Sequence, residues 1–122
     1  MSRSHDLAAH LVIRLLATRS RAHALHLLTK SYATHKALEF LYEGLPELTD
    51  DFAEVYQGCY SVRLDLMKSM PEPPKEPKAL VEAMMQWIAN NRKEISEATH
   101  IQNIIDEIVA HLDRTSYLLT LT

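Results

Sequence analysis

Between His23 and Glu54 the chain reads HALHLLTKSYATHKALEFLYEGLPELTDDFAE, three histidines followed by a run of carboxylates. His35 and Glu39 are four residues apart, and so are Asp50 and Glu54. On a helix that spacing puts each pair on one face, where an imidazole and a carboxylate, or two carboxylates, can grip one metal ion. Such donors suit Fe(II), Mn(II) or Zn(II), and the lack of thiolate ligands argues against a structural zinc site. The two pairs begin 15 residues apart, about 22 Å along a helix at ~1.5 Å per residue. No single ion spans that distance. The pairs converge only if a second copy of the helix lies antiparallel about a two-fold axis, which would create two equivalent sites. The same four residues also suit a plainer role, the wet face of an amphipathic helix.

The elements that would carry these residues are helical. Leu7, Leu11, Leu15 and Leu16 start a helical pattern at Ser4 that runs through Leu28. Ser31 is placed to cap a second helix. There Leu38, Leu41, Leu45, Leu48, Phe52, Val55 and Cys59 alternate steps of three and four, the stripe a bundle seam requires. At about 100° per residue, His35, Glu39, Asp50 and Glu54 fall on the side away from that stripe. Pro46 predicts a bend near residue 44. PEPPKEP, residues 71–77, reads as a stiff connector. A third helix carries Leu80, Met84, Trp87 and Ile88. Thr99 is placed to cap a fourth, whose buried face is Ile101, Ile104, Ile105, Ile108 and Leu112. No segment alternates as a strand does. The expectation is one all-α domain over 1–122, a four-helix bundle with a short Pro-rich connector between helices two and three.

Composition narrows the function classes. A net charge of -3 without any basic block gives no reason to expect a nucleic-acid partner. The apolar N-terminal stretch is broken by charges and histidines, so neither a signal peptide nor a membrane span is expected. Cys59 is the single cysteine, and a cytoplasmic, reducing location is the simplest assignment. Its position on the apolar stripe predicts a buried, inert thiol.

With His23 placed twelve residues before His35, the set His23, His35, Glu39, Asp50 and Glu54 resembles the intersubunit ferroxidase site of Dps-type miniferritins. TDDFAE is similar to that family's D-x-x-A-E motif, and Tyr32 stands where it often has an aromatic residue. The resemblance covers residues 20–57. It implies a ferritin-like four-helix fold that assembles into a shell and oxidises Fe(II) with peroxide or oxygen. Asp50 and Glu54 would then bridge and anchor the metal, with His35 and His23 completing its coordination. The chain departs from the pattern at Ala24, where the family has Trp, and at Glu39, where it usually has Asp. It also lacks the crossover helix and a lysine-rich tail. A second likeness is textual: HLLTKSYATHKALEFLYEGL followed by AEVYQG is similar to a group of small, uncharacterised phage-encoded proteins.

Two functions follow as expectations. The first is a ferritin-like metal-binding protein, with Fe as cofactor and Mn or Zn as alternatives, forming a homo-oligomer by antiparallel pairing of helix two. The second is a non-enzymatic, phage-encoded bundle that binds a host protein or small ligand. His26 is expected to pack at the turn or to support His23. His5, His10, His100 and His111 are expected at the surface or bundle edge, Trp87 with Met84 and Met85 in the core, and Tyr56 with Tyr60 at a subunit interface.

Overall fold

A computed structural model describes residues 2–122. It contains four helices, α1 (Arg3–Leu28), α2 (Tyr32–Tyr60), α3 (Pro77–Ile95) and α4 (Thr99–Leu118). Among the described residues there is no strand, and no helix is long and apolar enough to cross a membrane.

Local chemistry sets most of the helix starts. The Ser2 hydroxyl accepts from the His5 N–H, and the Ser31 hydroxyl accepts from the Thr34 N–H at 3.2 Å. The Glu76 carboxylate accepts from the Lys78 and Ala79 N–H groups, with Pro77 in the first turn of α3, where its missing N–H costs nothing. Thr99 does not cap α4. It is the first helical residue, Ala98 holds the cap position without a side-chain bond, and the Gln102 amide closes the α3–α4 turn on the Arg92 and Ser96 carbonyls.

Residue pairs across the bundle give the directions of the helices. His10 and Arg14 meet Trp87, Thr18 meets Met84 and Ser4 bonds to the Glu94 carbonyl, so α1 and α3 run antiparallel. His111 meets Leu41 and Ser96 meets Tyr60, so α2 and α4 are antiparallel too. α1 packs on α2 and α3, and α4 packs on α2 and α3. Hence α2 and α3 are parallel and diagonal, joined by one long crossover, the up-down-down-up arrangement of ferritin-like bundles. That crossover is Ser61–Glu76, which is longer than the PEPPKEP connector expected from sequence. It is held by ion pairs of Lys68 with Asp6 and of Arg21 with Glu72, and by Leu64, which is buried.

The core is filled by Leu11, Leu15, Leu38, Leu41, Leu45, Phe52, Tyr56, Leu80, Ile88, Ile101 and Ile105, all essentially without solvent contact. Pro46 lies inside α2 without ending it. The buried face of α2 follows Leu38, Leu41, Leu45, Thr49, Phe52 and Tyr56, and Cys59 is exposed, contrary to the expected seam. A three-four repeat averages 3.5 residues, and on a straight helix it drifts about 20° per heptad. By the last turns the core has moved on by one residue, from Val55 to Tyr56. The buried Tyr56 hydroxyl shares a 2.8 Å hydrogen bond with His5 Nδ1.

Candidate metal-binding site

The tight turn between α1 and α2 folds the chain back on itself. It places His26, three residues before Thr29, beside His35, four residues after Ser31. The imidazoles stack with centroids 3.6 Å apart and planes 17° apart. Each ring also reaches the other's backbone. His26 Nδ1 lies 2.8 Å from the His35 carbonyl, and His35 Nδ1 lies 2.8 Å from the His26 carbonyl. A carbonyl oxygen can only accept, so both Nδ1 atoms carry the proton. In each neutral ring the free lone pair is therefore on Nε2. The His26 carbonyl belongs to the last turn of α1, where intrahelical donors run out, so the His35 ring also closes a helix end.

Glu39 sits one turn after His35. One donor atom from each of His26, His35 and Glu39 lies within 4.8 Å of the others. The Lys36 ammonium, 3.0 Å from Glu39 Oε2, donates to that carboxylate and holds it below the usual carboxylate range against partial desolvation; the Lys36 charge and the two imidazoles act in the same direction. The surroundings are aromatic. His23 stacks on Tyr42 at 4.2 Å, and Tyr42 meets His26 edge to face.

Of the residues singled out by sequence, the fold brings His35 and Glu39 together in one chain. His23 lies beside that pair, its ring 6.0 Å from His26. Asp50 and Glu54 are exposed on α2, about 16 and 22 Å further along a continuous helix than Glu39 at ~1.5 Å per residue. Sequence reasoning gave His26 only a packing or supporting role. The signal for it was there: in a tight antiparallel hairpin, residues at similar distances from the turn face each other.

Two imidazoles and one carboxylate make a donor set that suits Fe(II) or Zn(II) and leaves coordination positions open. Ring nitrogens that donate to backbone carbonyls are the usual support for ligating histidines, because they fix the tautomer and aim. The rings lie in near-parallel planes a stacking distance apart, so their in-plane lone pairs meet a single ion only if one ring tilts. Lys36 bonds Glu39 through Oε2, which leaves Oε1 for an ion.

Comparison with known proteins follows the same segment. Residues 26–119 match the model of a family of unknown function, DUF5856. The chain belongs to the DUF5856 family. It is also 36% identical over 110 residues to an uncharacterised 14.6 kDa protein from the mobD-ri intergenic region of Enterobacteria phage T4, covering 88% of this chain and 83% of that protein. The likeness to small phage proteins, expected from the HLLTKSYATHKALEFLYEGL stretch, is thus found, while no comparison points to miniferritins. No solved structure matches the chain. The DUF5856 match begins at His26 and so takes in the whole three-donor group.

Proposed function

We propose that the protein binds one divalent transition-metal ion through His26, His35 and Glu39 at the α1–α2 end of the bundle. The reciprocal Nδ1–carbonyl bonds carry this reading, because they leave the Nε2 lone pairs of both rings unused, on histidines grouped with the Glu39 carboxylate. Iron fits the donor set, with zinc or manganese as alternatives.

The intersubunit form of the site adds Asp50 and Glu54 from a second copy. The outward face of α2 carries Glu43, Glu47, Asp50, Asp51 and Glu54, all exposed. Two such faces laid antiparallel would set carboxylate against carboxylate, so this pairing needs cations between them. A second reading, a bundle that works by binding another protein, is favoured by Leu27, Leu28 and Tyr32. These are more than two-thirds exposed at the hairpin tip beside the site.

Calorimetric titration of metal-free protein with Zn(II), and anaerobically with Fe(II), tests the proposal against Glu39→Gln and His26→Gln, with circular dichroism reporting the fold. The expected result is one ion per chain in the wild type and at least tenfold weaker binding in both folded variants. Equal binding in both variants would remove the site. Sedimentation separates the assemblies: a dimer that forms only with metal and is lost in Glu54→Ala supports two-fold pairing of α2, whereas a dimer that persists in chelator supports the apolar tip. Oxygen or peroxide added to the Fe(II) complex then reads oxidation directly.

A further inference from the structure

The crossover roofs a cavity of about 190 Å³ between α1 and α3. Its walls are Met70, Pro73 and Pro74 from the crossover, Leu80 and Met84 from α3, and Arg14 and Thr18 from α1. Thr18 is engaged, its hydroxyl against the Met84 sulfur at 3.5 Å. Glu72, at the rim, is engaged as well, paired with Arg21 at 3.3 Å.

Arg14 differs from both. Among the described residues no carboxylate lies within ion-pair distance of it and no protein acceptor takes any of its five donors. Its Nε is cut off from solvent without a partner. The guanidinium lies over the face of Trp87, 5.1 Å from the ring centroid. Burial pulls the guanidinium below its ordinary value, yet a guanidinium stays charged in any ordinary buffer. Nε, sealed from solvent, is out of a ligand's reach; the two outer nitrogens are not sealed and have no protein acceptor, so at the wall of a cavity they are open to an anion supplied from outside.

We propose that this cavity binds a small organic carboxylate, its carboxyl group bonded to Arg14 and its apolar body against Met70, Pro73, Leu80 and Met84. Arginine binds carboxylates with two parallel N–H bonds, which gives both charge and orientation. The apolar walls exclude a bare inorganic anion as the preferred occupant. The size agrees: an apolar cavity of about 150 Å³ takes up a benzene-sized molecule, and the remaining space accommodates a carboxyl group. The crossover supplies one wall and is held at the surface by the pairs Lys68–Asp6 and Arg21–Glu72, so it can lift to admit the ligand.

Benzoate is the probe, read by calorimetry and by thermal unfolding of the full chain, with inorganic phosphate in parallel. Saturating benzoate should raise Tm by at least about 3 °C. Arg14→Met should weaken binding at least tenfold. Ala83→Phe should do the same from the opposite wall with Arg14 intact; Ala83 lines the cavity yet is exposed, so the larger side chain can enter it without disturbing the core. Binding retained in either folded variant, a response to phosphate as large as that to benzoate, or no response to benzoate in the wild type would each overturn the proposal.

Discussion

At the residue scale, two glycines show how one side chain's surroundings decide its role. Gly44 lies inside α2 against the His111 imidazole, and a Cβ there would overlap that ring. The ring has little room to retreat. It stacks on Phe40 at 4.3 Å and donates from Nε2 to the Leu41 carbonyl at 3.2 Å. Gly58 has nothing within 4 Å of the equivalent position. Gly44→Ala is therefore expected to destabilise by about 1–3 kcal/mol through overpacking, and Gly58→Ala to stabilise by about 0.5–1 kcal/mol through lower backbone entropy in the unfolded chain. Urea unfolding of the two variants measures both signs. Sequence alone treats the two glycines alike, because His111 is 67 residues away from Gly44 in the chain.

At the scale of the element, α2 is where periodicity served best and then failed. Leu38, Leu41, Leu45 and Phe52 are buried as the three-four spacing predicts, whereas Cys59 is exposed and Tyr56 holds the place expected of Val55. The error accumulates because the pattern was followed at 3.5 residues per turn along a helix that turns in 3.6. Phe52→Ala should cost about 3–5 kcal/mol, while Cys59→Ser should change stability by less than about 0.5 kcal/mol. Cys59 should also react with a thiol reagent in the native protein at a rate close to that of the unfolded chain. A slow reaction there would restore the original seam. The Ser31 cap was readable because a cap is a matter of neighbours in sequence, whereas Pro77, expected in the stiff connector, is the first residue of α3, with Glu76 as its cap. The α4 start was not, because its turn is closed by Gln102 and Arg92 rather than by Thr99.

At the scale of the whole molecule, packing changes how the fold answers to pH. His111 is held below its ordinary value of 6.5 first by burial and then by the Arg114 charge, against the Leu41 and Phe40 carbonyls. His10 is lowered first by burial, then by Lys68 and Arg14, with Asp6 opposing. Below pH 6.5 the unfolded chain thus takes up protons that these two sites resist in the folded state. Their contribution to stability is present above 6.5 and is lost as the pH falls through the folded values. Tm should drop on acidification from about pH 7.5 to about 5.5, and His111→Gln should flatten part of that slope. An unchanged slope in the variant would show that His111 takes up its proton equally in the folded and unfolded states, so that its burial does not resist protonation.

Some of this molecule was determined by sequence alone: four helices, the Ser31 cap of α2, the polar side of α2, and the pairing of His35 with Glu39. All of these depend on residues within one or two turns of each other, where helical geometry fixes distance. Tertiary structure decided the rest. It joined His26 to His35 and Glu39 while leaving His23 beside them, because the hairpin turn sets which faces meet. It drew the crossover out to Ser61–Glu76 over α1 and α3, and it left Arg14 without a partner beneath it. Those outcomes depend on which helices become neighbours, and many local patterns are compatible with more than one such arrangement.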